Sequence, residues 1–574
     1  MSLEEGAVKQ PLNKPRSNRR PWASWRLVAV AAVGALLVVT QLTNYSPHFH
    51  AHIAKHHILR NLQEQPALRL SFEIKRKAMY VHGASNFDVI AIPALKRSAD
   101  DHSMVYNGMA SFEEDGHTHE YSLVDGTTYY TRRSNGLPAS EAESGCLPAG
   151  SVPPIESVLN AIHSANTATQ SGASNDKCPG GSVMVFQFAG EDFVLCSDQS
   201  WLQDDGFQIF GKHLNVGVKY EQTAPVIVPP RVSTELLDSC GQVPFGERIT
   251  PSLSSMLTRS FSEWGHRSLR AQEAEGLFDS AWDLITDDSC GCKGAQRACV
   301  FVAGLSSYDD HGLTEDDPEG YFGDEIGDHS PCCSSRKYIT LATKENSWND
   351  PVFQQRLVDL LVQVSGTSDP VTGTIKDTIY VGHSMANLLL AGAIANGKII
   401  LDPSTTWVSA SAPMEGSMGS NYIQESCNGQ QSGFVASIIE LLGNCPTNTG
   451  ETSLAYQGTN FSSQPLNDAY AAAQDAFAKN VDAVMCSTSF SGLVTVKAAI
   501  YALAGKILPH HSSQNDGIVE YTSCSIGLNQ DIFDNTYKSA HYRTGLNHVD
   551  TSFRNGDGMF NDNKKPLKWF ECLL

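Results

Sequence analysis

From about residue 290 onward, continuous apolar runs alternate with stretches of helical periodicity, and this alternation limits the fold more than any other feature. "ACVFVAGL" and "KYITLAT" are short apolar runs, expected of strands buried on both faces. "NDPVFQQRLVDLLVQVSG" puts Val352, Phe353, Leu357, Leu360, Leu361 and Val364 on one helical face. Asn349 or Asp350 can cap that helix, and Pro351 suits its first turn. "DTIYVG" is a third strand, "MANLLLAGAIANG" a helix ending near Gly397, and "TTWVSASAP" a fourth strand. Strands alternating with helices predict an α/β domain with a mostly parallel sheet over 290–574. Residues 465–504 carry a helical pattern and are expected to form part of a cap.

The preceding part reads differently. In "LRLSFEIK", Leu68, Leu70, Phe72 and Ile74 alternate with polar residues, the period of a half-buried strand. "HEYSLVDGTTYYTRR" sets Asp125-Gly126 between two strand-like runs, a hairpin signal. "VMVFQFAGEDFVLCS" and "LNVGVKYEQ" continue the pattern. Residues 67–232 are therefore expected to form a separate antiparallel β-rich module, binding or structural in role, whose protein partner is unknown. "PVIVPPR" marks its exit, and 233–289 reads as a connector.

The N-terminus bears on the compartment. Residues 1–26 hold six Lys/Arg and two Glu, a basic tail. Trp22 to Leu42 is 21 residues long, without charge from Leu27 to Thr40. That length just suffices to cross a bilayer. Residues 27–43 are expected to be an uncleaved signal anchor, leaving the tail cytosolic and the body lumenal or extracellular, a single-pass type II arrangement. No A-x-A-like cleavage site follows in "TQLTNYS", which argues against a cleaved signal peptide. Residues 44–66 include "PHFHAHIAKHH", read as a solvated His-rich stalk rather than a metal site. All fourteen cysteines lie beyond the anchor, with no C-x-x-C pairs, so disulfides are expected instead of zinc. Asn44 and Asn460 head glycosylation sequons. The net charge of −21 is concentrated in the body and repels phosphate, which excludes nucleic-acid binding.

Ser384 sits where "DTIYVG" passes into "MANLLLAG", in "GHSMAN". A sharp strand-to-helix turn lifts a serine hydroxyl clear of a sheet and sets the helix N-terminus beneath developing negative charge. The small residues needed for close backbone approach are Gly382 and Ala386. The plain alternative is a capping serine at an ordinary turn. Four further stretches accompany it: "VFVAGL", "TWVSASAPMEGS", "SQNDGIVEYTS" and "GLNHVDTS". In this order they resemble the α/β-hydrolase family, its lipase/esterase-like members in particular, over roughly 290–560. The resemblance implies a triad of Ser384, Asp516 and His548, in the family's chain order. It also implies an oxyanion hole from the backbone N–H groups of Leu305 and Met385. His541, His510 and His511 compete for the histidine role, and Asp550 for that of the acid. Ala303 stands where the family has His, and Ala386 where it has Gly.

The segment 307–330 holds nine carboxylates and reads as a solvated insertion near the site, able to screen against anionic substrates. Cys427 and Cys445 bracket an apolar, helix-like piece suited to a lid or to plain core. The implied function is cleavage of an acyl ester, lipid or lipid-like, without metal or organic cofactor. Two alternatives stay open: acyl transfer on the same fold, and a non-catalytic surface protein on a hydrolase scaffold.

Overall fold

Ala67–Ile74 pairs antiparallel with Asn86–Leu95 on one side and with Leu214–Glu221 on the other, Leu70 facing both Val89 and Val218. Around this pair grows a twelve-stranded antiparallel sheet. Ser103–Glu114, His117–Val124, Thr127–Ser134 and Glu143–Leu147 extend it as a meander on one flank. Gly206–Gly211, Glu191–Ser197, Ser182–Phe188 and Asn166–Thr167 extend the other. Asp125 and Gly126, both at positive φ, turn the expected hairpin. This is a computed structural model, and it describes residues 52–574 apart from 96–102, 137–141, 168–177, 179–180, 198–204, 233–239, 245, 248–284, 286–289, 428–442, 444 and 496–497.

A second sheet has eight strands, in the spatial order Gly312–Thr314, Cys333–Thr340, Arg297–Val302, Thr378–His383, Thr406–Ala410, Ala483–Ser487, His541–Thr544 and Phe533–Asp534. Its pairings are parallel except for Gly312–Thr314, which runs antiparallel to Cys333–Thr340. Strand residues point alternately to opposite faces. Val300, Val302 and Tyr380 pack under the helices Pro351–Leu361, Met385–Ala395 and Gln464–Asn480. Cys299, Phe301, Ile379 and Val381 pack on the other face with Phe322, Trp569 and Phe570. Both faces are covered, which is why these strands read as unbroken apolar runs. Asp350 caps Pro351–Leu361, its carboxylate accepting from the Val352 and Phe353 N–H groups. Val352, placed on the buried stripe by periodicity, is 78% exposed.

The expected fold class is corrected on three points. The larger sheet is antiparallel, and the sheet of the α/β part is mixed, parallel except for its Gly312–Thr314 edge strand, so an α/β class with a parallel sheet does not describe the chain as a whole. The β-rich part is not separate: Ala54–Leu574 forms one compact unit. Arg76 pairs with Asp557 and Glu571, Lys565 with Glu191, and the Asp557 N–H donates to the Ala78 carbonyl at 2.6 Å. Finally, among the described residues no helix is long and apolar enough to cross a membrane. The expected anchor at 27–43 lies outside the described residues, as do the tail 1–26 and Asn44. Strand alternation dictates which face is apolar, but not which distant segment covers it.

Smaller differences have the same origin. Residues 54–64, within the expected stalk, are helical, and Ile58, Leu59 and Leu62 are buried against the antiparallel sheet. Most of 233–289 lies outside the described residues, but Gly246–Glu247 pairs with Ser103–Glu114 and Cys240 is bonded to Cys146. Within 465–504, "AVMCS" is a strand between two helices; a five-residue apolar run has no period that separates strand from helix. All fourteen cysteines pair in seven disulfides, the mark of an oxidising lumenal or extracellular compartment.

Candidate active site

Thr378–His383 is buried along its whole length and ends at Ser384, the N-cap of Met385–Ala395. Ser384 has φ 56° and ψ −128°, a region that favours glycine. The strain is held from several sides. The Ser384 N–H donates to the Ala410 carbonyl at 2.9 Å. Asn387 Nδ2 reaches the carbonyls of Gly382, Ser384 and Ala410 at 3.0, 3.3 and 3.3 Å. Trp407 Nε1 donates to Asn387 Oδ1 at 3.1 Å and orients that amide. A Cβ on Gly382 would lie 2.6 Å from Asn387 Oδ1, so the small residue is required there. Ala386 fits the other small position, 2% exposed.

The three residues implied by the resemblance meet in one place. His548 Nε2 lies 3.0 Å from Ser384 Oγ, and His548 Nδ1 lies 2.8 Å from Asp516 Oδ2. Since Asp516 Oδ2 accepts, Nδ1 carries the proton and Nε2 faces the serine as acceptor. Asp516 Oδ1 accepts from the Ile518 and Val519 N–H groups at 3.0 and 2.7 Å. Burial alone would raise its carboxyl pKa. The His548 imidazole and the two N–H donors outweigh burial and hold it below the ordinary value. The His548 N–H also donates to the Asp516 carbonyl at 2.9 Å, tying the two loops together.

The competing residues are engaged elsewhere. Asp550 accepts from Leu493 N–H and Asn555 Nδ2, both at 2.7 Å. His541 packs edge-on against Phe533. His510 faces Glu520 at 3.4 Å, and His511 lies against Tyr456.

Gly304 closes the front of the site. A Cβ there would come within 2.8 Å of Ser384 Cβ and of the His383 carbonyl. The following loop is held by Thr343, whose Oγ1 donates to the Gly304 carbonyl at 3.1 Å and accepts from Ser306 N–H at 3.0 Å. Neither the Leu305 nor the Met385 N–H has a hydrogen-bond partner among the described residues.

Five participants escaped the sequence reading: His383, Tyr321, Thr551, Ser411 and Asn387. His383 is fully enclosed, and its Nε2 reaches the His548 carbonyl and Thr551 Oγ1, both at 3.0 Å. A carbonyl only accepts, so Nε2 carries the hydrogen and Nδ1 accepts from the Tyr321 hydroxyl at 2.7 Å. Burial, with the His548 ring beside it, keeps His383 neutral. Burial also pushes the Tyr321 phenol up to about 12, partly offset by the Arg554 guanidinium and a Gly304 backbone hydrogen bond. Thr551 joins the His548 carbonyl at 2.7 Å to Ser411 Oγ at 2.8 Å. Asn387 and His383 did leave a signal: each is a polar residue inside an otherwise apolar run. Tyr321 left none, lying inside the acidic insertion, which is not wholly solvated because Phe322 is 1% exposed.

Asn460 is exposed, as a modified asparagine must be. Cys427 and Cys445 are bonded, but 428–442 between them lies outside the described residues. On the antiparallel sheet, His82, Glu114 and His119 lie within 4.8 Å of one another. His82 already engages Glu114 at 2.6 Å and Tyr121 at 2.7 Å.

No family model and no curated protein matches the chain. Among solved structures, a Staphylococcus hyicus lipase is similar over 49% of this chain and 94% of that one, at 13% identity and a TM-score of 0.27. A lipase-esterase related protein from Clostridium acetobutylicum is similar over 34% of this chain and 76% of that one, at 14% identity and a TM-score of 0.17.

Proposed function

We propose that the chain is a serine-dependent carboxylic ester hydrolase acting on acyl or lipid-like esters. The observation that supports this is the hydrogen-bonded series from Ser384 Oγ through His548 to Asp516, at 3.0 and 2.8 Å. In this reading His548 Nε2 takes the Ser384 proton as Oγ attacks the ester carbonyl carbon. Asp516 holds the imidazole in the competent tautomer and stabilises the imidazolium. The oxyanion forms against the Leu305 and Met385 N–H groups, which have no other partner among the described residues. Collapse expels the alcohol, which leaves with the proton from His548. Water then enters by the same route, releases the acid and restores Ser384.

Labelling by a fluorophosphonate probe tests the nucleophile. The reading expects labelling of the folded chain and its loss in Ser384→Ala. Folded protein that takes up no probe and cleaves no ester would sink it. Acyl transfer is the variant of the same chemistry in which an alcohol replaces water. Product analysis with an added lipid alcohol separates the two.

A further inference from the structure

A cavity of about 300 Å³ lies within the curl of the antiparallel sheet, and none of the residues around Ser384 lines it. Its wall draws on nine adjacent strands of that sheet. Val494, Met559 and Phe560 from the other half close it. No charged side chain lines it, and its polar members are Tyr106, Tyr121, Ser122 and Thr128. Both phenols are already engaged: Tyr106 donates to the Leu62 carbonyl at 3.0 Å, and Tyr121 pairs with His82 at 2.7 Å.

We propose that this cavity is a binding site for the hydrocarbon tail of a fatty acid or acyl lipid, distinct from the Ser384 site and independent of its chemistry. Three observations carry it. The volume equals roughly ten waters at about 30 Å³ each, yet an apolar chamber offers water too few partners. Left empty, a void of that size forfeits packing contacts in proportion to its volume. An apolar occupant restores them. Second, a compact, specific ligand needs a few convergent polar groups to fix its orientation. With both phenols engaged and no charge in the wall, only the Ser122 and Thr128 hydroxyls on two neighbouring strands remain, too few to orient a compact polar ligand, and an aliphatic tail requires none. Third, Leu70, Phe72, Phe87 and Val89 line the cavity while remaining only half-buried. They occupy neighbouring strands in register, Leu70 opposite Val89 and Phe72 opposite Phe87, with the two phenyl rings stacked at 5.0 Å. This apolar, partly accessible patch gives a tail its way in and leaves a polar head outside.

The test uses the full chain and cis-parinaric acid, a fluorescent unbranched fatty acid. Saturable binding near one equivalent, displaced by oleate, is expected in the wild type and unchanged in Ser384→Ala. Ala110→Trp and Ala91→Phe fill the cavity and are expected to weaken binding by about tenfold or more while circular dichroism is retained. A diazirine fatty acid, crosslinked to the wild type, is expected to mark peptides within 67–124, 182–221 and 559–560. That map decides the matter even if both filling variants fail to fold. Absence of saturable binding, crosslinks centred on Ser384, or binding untouched by both folded variants overturns the proposal. So does displacement by cholesterol but not by oleate, which would make it a sterol site.

Discussion

Tyr321 donates its hydroxyl hydrogen to Nδ1 of His383, 2.7 Å away, directly behind the strained serine. His383 passes the constraint on by donating from Nε2 to the carbonyl of His548. One tyrosine from the acidic insertion therefore helps fix both the turn that carries Ser384 and the loop that carries His548. Arg554 clamps the same tyrosine, its guanidinium 5.0 Å from the ring and its Nε 2.8 Å from the Tyr321 carbonyl. Tyr321→Phe leaves a buried imidazole nitrogen without its donor. Stability is expected to fall by about 1–3 kcal/mol, with ester turnover reduced and Km little changed. Unfolding in denaturant and steady-state kinetics on a short-chain ester check both. Unaltered stability and turnover would show that the contact has no effect.

The proposed triad has its own signature. Ser384→Ala is expected to lower kcat by up to about 10⁶-fold, and Asp516→Asn by about 10⁴-fold through loss of the competent tautomer. Asp516 also contributes stability. Its folded pKa is depressed, so that contribution is present above the unfolded carboxylate range and is lost as pH falls through the folded value. The difference in Tm between wild type and Asp516→Asn should therefore shrink under acid. A difference that stays constant with pH would contradict the assignment.

Two small residues near Ser384 should respond in opposite ways. Gly304→Ala drives a methyl to within 2.8 Å of Ser384 Cβ and 2.9 Å of Tyr321 Oη, so the backbone must shift. Most turnover is expected to be lost while the fold persists. Ala386→Gly opens a helix position instead, costing about 1 kcal/mol of stability and leaving turnover near the parent value. Turnover measured on both variants is decisive. A large gain in Ala386→Gly would mean that alanine impairs the turn.

Lys564 joins the two halves, donating from Nζ to the Gly150 and Gly492 carbonyls at 2.5 and 2.6 Å. Burial pushes its pKa down to about 8 from an ordinary 10.5, although Asp550 pulls it upward. The charged form is thus disfavoured in the folded chain. Between about pH 8 and 10.5 the unfolded chain holds more protons, so this group makes stability rise with pH by on the order of 3 kcal/mol in total. Tm measured from pH 7 to 10.5 should show this slope in the wild type and lose it in Lys564→Met.

Local signals in the chain sufficed for parts of the site. "GHSMAN" described a tight strand-to-helix turn because small flanking residues and an apolar strand leave few other options. "NDGIV" and "NHVD" then supplied an acid and a histidine, which the tertiary structure sets 2.8 Å apart. Tyr321, Thr551 and Ser411 were not legible, since each acts across more than 100 residues of chain or from a segment of unlike composition.

By itself the sequence determined the features that depend on neighbours along the chain: most of the strongly periodic strands and helices, the alternation of apolar positions along them, where the strained turn falls, and that the cysteines are oxidised. Only the tertiary structure decided what closes those faces. The antiparallel sheet outgrew the mixed one, took in the helix at 54–64, and packed against the α/β part instead of standing apart. Hydrophobic burial is non-directional, so an apolar face specifies that it must be covered without naming its cover. That choice rests on contacts such as Arg76 with Glu571 and Phe188 with Phe560, whose partners are hundreds of residues away.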